Sequence, residues 1–114
     1  MKTGAQQYLP LTEATYLILT ALAEPRHGYG IMQAVSELDG ESNKIGPGTM
    51  YGALAKLLDQ GLIERAGDSQ SGGERRKMYA LTPLGRKVVE LECGRMETMA
   101  RLGRRLLEGA GEVR

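Results

Sequence analysis

The chain reads as a mainly α-helical domain with a small β-hairpin, and three features of the sequence carry that expectation. Its 114 residues, 41% hydrophobic and 25% charged, suit one ordinary globular domain. Apolar residues recur at helical spacing in four separate segments. Between the third and fourth segments the helical period disappears on both sides of a stretch rich in turn formers, Gly67 to Glu74.

The elements follow in order. Thr12 is a good N-cap, Glu13 favours the positive end of the helix dipole, and Leu11 can staple onto Tyr16, so a first helix starts there. Leu17, Ile18, Ala21 and Leu22 continue its apolar face until Pro25 forbids helix at Glu24. After a turn at Arg26 and His27, Ile31, Met32, Val35 and Leu38 form a second, short helix that Asp39-Gly40 ends. A polar linker from Glu41 to Ile45 leads to Pro47, which suits a first helical turn, and Met50, Leu54, Leu57 and Leu58 make the stripe of a third helix closed by Gly61. Residues Leu62 to Ala66 and Lys77 to Thr82 read as two strands, with a flexible loop between them. Thr82-Pro83 restarts helix as N-cap and first residue, and Leu84, Val88, Leu91, Met99, Leu102 and Leu106 follow a period near 3.6, interrupted by Arg95.

Composition excludes several classes. No stretch approaches the ~20 apolar residues of a membrane span, and the N-terminus has no secretory signal pattern. Cys93 is the only cysteine and His27 the only histidine, which removes disulfide frameworks and multi-ligand zinc sites and makes a reducing cytoplasm the expected compartment. No metal and no cofactor are expected. His27 reads as a turn residue or cap, and Cys93 as packing. No catalytic set can be assembled, so the chain is not expected to be an enzyme. Net charge is only +1, yet it is −3 up to Asn43, +2 from Lys44 to Lys77 and +2 thereafter, so a face for nucleic acid would be local.

Helix, helix, helix, hairpin, helix is the order of a winged helix-turn-helix with an added C-terminal helix. Residues Leu11 to Gly85 also resemble the PadR family of bacterial transcriptional regulators. The matching segments are His27-Gly28-Tyr29, then Gly48-Thr49-Met50-Tyr51 followed by Leu54 and Leu57, then Gly61-Leu62-Ile63, and finally Arg76-Lys77 with Tyr79, Leu81, Thr82 and Gly85. Arg75 stands where the family usually has a loop proline, and Met78 where it often has tyrosine. The resemblance implies a repressor that binds an inverted-repeat operator in double-stranded DNA as a homodimer through its C-terminal helix. PadR-like proteins respond to varied small molecules or to none, and this chain has no Trp with which to stack a planar effector.

The residues point the same way. The outward side of the third helix carries Gly48, Thr49, Gly52, Ala55, Lys56 and Asp59, with Tyr51 on its flank; small residues there let the backbone approach DNA while Thr49, Tyr51 and Lys56 reach outward. Arg75, Arg76 and Lys77 are the most concentrated positive charge and would form the wing, with strand alternation sending Arg76 to the side opposite its neighbours. Lys44 and Arg65 are weaker candidates. A helix from Pro83 to Glu108 would be about 39 Å long, too long for its own domain to cover, so Leu84, Val88, Leu91, Met96, Met99, Leu102 and Leu106 are expected at a dimer interface. Residues 1–82 would then form the DNA-binding domain and 83–114 the dimerisation helix and tail. The competing reading is a winged-helix protein-interaction module in which the loop charges are incidental.

Overall fold

The computed structural model describes residues 4–39, 45–71 and 74–113, with the side chains of 39, 69–71, 74, 75 and 111–113 outside the description. A 3₁₀ turn, Gly4–Tyr8, precedes four helices: α1 (Glu13–Ala21), α2 (Gly28–Asp39), α3 (Pro47–Gln60) and α4 (Pro83–Val113). Three strands, β1 (Arg26–His27), β2 (Ile63–Ser71) and β3 (Glu74–Leu81), form one antiparallel sheet in the order β1-β3-β2. This is the expected winged helix-turn-helix, helical for the most part, with a long last helix.

Local chemistry accounts for the helix ends. The hydroxyl of Thr12 accepts a hydrogen bond from the Thr15 amide at 3.1 Å, which caps α1. Helix α3 starts at Gly46-Pro47 with no side-chain cap and ends on Gly61, whose φ of 76° is the left-handed conformation that lets the chain turn into β2. Thr82 caps α4 through a 3.0 Å bond from the Gly85 amide and also donates its hydroxyl to the Gly61 carbonyl at 2.6 Å. One side chain thus joins the root of α4 to the end of α3.

Two expectations need correction. Arg26 and His27 are not a turn but a strand, paired with Tyr79 and Met78 of β3. Two residues are too few to show a period, so only tertiary pairing reveals them. Much of the expected loop is strand: β2 runs to Ser71 and β3 starts at Glu74, with pairing resumed from Asp68↔Lys77 to Ser71↔Glu74 after an irregularity between Arg65 and Asp68, while Gly72 and Gly73 lie outside the described residues. Gly67, at φ 82°, is the bulged residue there. The linker residues Glu41–Lys44 and the Gly40 end of α2 lie outside the described residues. Helix α4 runs unbroken through Gly94 over 31 residues.

The core is aliphatic, as a chain without Phe or Trp requires. Ile18, Leu19 and Leu22 meet Ile31 and Val35 of α2, Met50, Leu54 and Leu57 of α3, Leu62 and Ile63 of β2, and Val88 of α4, all at most 2% exposed. The first turn of α4 lies directly on the start of β2. A Cβ at Gly85 would stand 1.9 Å from the Leu62 carbonyl oxygen, closer than any atom can be, so only glycine permits this contact. Beyond Arg95 the helix leaves the domain. The radius of gyration is 17.0 Å, against about 13 Å for a compact domain of this length, and the molecule extends 64 × 35 × 21 Å.

Candidate nucleic-acid interface

Helix α3 buries Met50, Leu54 and Leu57 and turns the opposite face outward, as its apolar period demands. Gly48, Thr49, Gly52, Ala55, Lys56 and Asp59 are all exposed, and Tyr51 is 52% exposed on the flank. Gly46 caps this helix, so the Thr49 hydroxyl has no capping duty. The result is a shallow, polar helical face with one aromatic side chain at its edge.

Tyr51 meets the sheet across a cavity of about 300 Å³ that is also lined by His27, Gly28, Arg76 and Lys77. The structure therefore brings together three of the residues expected to bind DNA, Tyr51, Arg76 and Lys77. Lys56 is not among them. About one and a half helical turns beyond Tyr51, it lines a separate cleft of about 170 Å³ with Thr12, Thr15 and Gln60. Along β3, Arg76 is half-buried and Lys77 is exposed, in keeping with alternation, while the Arg75 side chain lies outside the described residues. Arg65 is engaged within the ribbon, bonding Asp68 at 2.8 Å with its guanidinium 5.9 Å from the centre of the Tyr79 ring. Lys44 lies outside the described residues.

Two features were not legible as functional in the sequence. His27 caps α2, its Nδ1 accepting from the Gly30 amide at 3.1 Å, but β1 also brings it to Arg76, whose Nη1 is 3.5 Å from Nε2. Forty-nine residues separate the two, so no local spacing could have joined them. Among the described residues Glu92 is the buried charge, 1% exposed. It accepts from the Leu11 amide at 2.7 Å and from the Arg95 guanidinium, and these bonds hold its carboxyl below the usual carboxylate range, with the Arg95 bond the largest cause and burial opposing it. Arg95, read in the sequence as an interruption of the apolar stripe, is the partner this carboxylate requires. Tyr16 and Cys93 meet nearby, hydroxyl to sulfur at 3.3 Å, and that bond, with burial second, pushes the tyrosine hydroxyl up from its ordinary value.

The positions expected at a dimer face divide in two. Val88 is 0% exposed in the domain's own core and Leu84 packs against that core, so neither forms a free surface. This corrects their assignment: the first turns of α4 are covered by α1 and the sheet. Leu91 is half-buried, in a groove with Leu9, Arg95 and Met99. Met96, Met99, Leu102 and Leu106 are open, the last three at 56%, 52% and 66%, and Leu107 joins them at 75%. Among the described residues no cluster of side chains could hold a metal ion, and no helix is long and apolar enough to cross a membrane.

A family model described as the transcriptional regulator PadR-like family matches residues 17–91. Among curated relatives, an uncharacterized 37.1 kDa protein in transposon TN4556 of Streptomyces fradiae is 39% identical over 99 residues, covering 86% of this chain and 26% of that protein. The chain thus spans about a quarter of that relative's length. A PadR family transcription regulator from Clostridium difficile R20291 superposes with a TM-score of 0.69 at 27% identity, over 84% of this chain and 99% of that one. Bacillus subtilis PadR, solved in complex with operator DNA, gives a TM-score of 0.61 at 29% identity, over 71% of this chain and 46% of that one.

Proposed function

Because the chain belongs to the PadR-like family of transcriptional regulators, we propose that it is a sequence-specific DNA-binding repressor that reads an inverted-repeat operator as a homodimer. The observation that carries this reading is the outward face of α3: a run of small and polar side chains beside a cationic ribbon is what insertion into a major groove requires, and what a merely solvated helix lacks. The operator complex of the B. subtilis relative supports it. In this reading Thr49 contacts base edges, Gly48 and Gly52 admit the backbone, and Tyr51, Lys56, Arg75, Arg76 and Lys77 contact phosphate. Residues 1–82 are the DNA-binding unit and 83–114 the dimerisation helix and tail. The dimer forms through Met96, Met99, Leu102 and Leu106, and a cytoplasmic regulator with no catalytic activity of its own follows.

The test is recovery of duplexes from a random pool, followed by titration of the selected operator at several salt concentrations. Binding with a log–log salt slope of several phosphate equivalents is expected. Thr49→Ala should weaken operator binding by roughly 1–3 kcal/mol per half-site, leave non-specific binding unchanged, and leave the melting temperature alone. Failure to enrich any duplex would favour the protein-interaction reading instead.

A further inference from the structure

Helix propensity ranks alanine above glycine, so Gly28, the first residue of α2, holds its place for a reason outside its own helix. Its backbone makes no such demand, since the described glycines with a left-handed φ are Gly4, Gly61 and Gly67. Space makes it. A Cβ on the buried Gly28 would stand 2.7 Å from the Tyr51 hydroxyl oxygen, 3.1 Å from Cζ of the same ring and 3.0 Å from Met50 Cε. Gly30, in the same turn, is different, because a Cβ there would meet nothing closer than 3.5 Å. The bare backbone of Gly28 is the floor on which the phenol end of Tyr51 rests.

Helix α3 supplies no such support. The outward neighbours of Tyr51 one turn away are Gly48 and Ala55, too small to hold a ring in one rotamer. Without the floor the ring is free to swing across that face, over the small residues through which α3 would approach a groove. With it, the ring keeps to the flank, and its half-exposed hydroxyl, which no described residue hydrogen-bonds, stays open to a partner from outside. We propose that Gly28 is a positioning residue for DNA binding: its missing side chain holds the Tyr51 ring off the reading face of α3 and directs the phenol hydroxyl to one backbone phosphate. The assignment rests on the DNA-binding reading and deepens it, because it places a buried residue of α2 among those that set affinity.

A double-mutant cycle tests it, with the selected operator as the probe. Gly28→Ala should lower affinity roughly three- to tenfold per half-site, the weight of one hydrogen bond, at an unchanged melting temperature. Gly30→Ala, which alters propensity in the same turn, should bind as the wild type does. Tyr51→Ala should weaken binding at least as much as Gly28→Ala, and in that background Gly28→Ala should have no further effect. Met50 meets the added methyl equally in both backgrounds, so a loss that persists without Tyr51 would trace the effect to the core and overturn the proposal. Wild-type affinity in Gly28→Ala would do the same. A second measurement needs no variant to fold: nuclear Overhauser contacts between the Tyr51 ring and the Gly28 α-protons are expected in the unaltered chain, and their absence would remove the floor. Each of these failures leaves the regulator reading standing, whereas a wild-type chain that binds no DNA would overturn that reading itself.

Discussion

The two halves of α4 carry the same apolar period and meet opposite fates. In the first half Val88 and Glu92 are 0% and 1% exposed, fixed by α1, the sheet and the N-terminal segment. In the second, Met99, Leu102, Leu106 and Leu107 stand 52–75% exposed on a helix that has left its domain. Periodicity encodes a face; it does not say what covers it. The change from one fate to the other falls at the Glu92–Arg95 pair, where the last buried charge meets a cation reaching solvent.

The comparison breaks most completely if the outer half is removed. A chain ending after Arg95 should remain folded by circular dichroism and sediment as a monomer, and an unchanged dimer would place the interface elsewhere. Ending after Glu92 is less informative, because it strips the buried carboxylate of its cation as well. Single truncations sharpen the contrast. Leu54→Ala, in the core, should cost about 2–5 kcal/mol of folding stability in a urea titration. Leu102→Ala should change the stability of the monomer by less than about 0.5 kcal/mol, yet raise the dimer dissociation constant.

A smaller effect belongs to the boundary itself. Arg95→Ala should lower folding stability, by less than the loss from a fully buried pair because the Arg95 side chain is 34% exposed. Its signature is in the pH dependence. Glu92 is held below the ordinary glutamate value of 4.5, so its contribution is complete above that value and is lost as the pH falls through the lower, folded one. Without Arg95 the loss should begin at higher pH, as melting temperatures between about pH 2 and 7 would reveal. Identical acid limbs in the two proteins would rule out the ion pair as the cause.

Much of the fold was legible because its signals are local. Thr12, Pro47, Gly61 and Thr82 punctuate helices in ways that need no tertiary information, and the observed ends of α1, α3 and α4 fall on them. Strand β1 was not legible, since a two-residue strand exists only where β3 comes to meet it. The extended ribbon was hidden for another reason: Gly67, Asp68 and Ser69 are turn formers by composition, and cross-strand pairing overrides them once the bulge has been absorbed. At the candidate interface the outer face of α3 followed from a helical wheel. The meeting of His27 with Arg76, and the coverage of Val88, depend on which elements pack together, and one chain's pattern does not contain that.

The contact between Gly85 and the Leu62 carbonyl gives α4 the mechanics of a lever. Backbone rests on backbone at its fulcrum, beside the Leu81 side chain, and Thr82 ties the same point to the closing carbonyl of α3. At 1.5 Å per residue the arm from Gly85 to Val113 is roughly 42 Å long, so a rotation of about 5° at the fulcrum corresponds to about 4 Å at its tip. A displacement of a few ångströms at the exposed end would therefore need only a small rotation where α4 meets the end of α3.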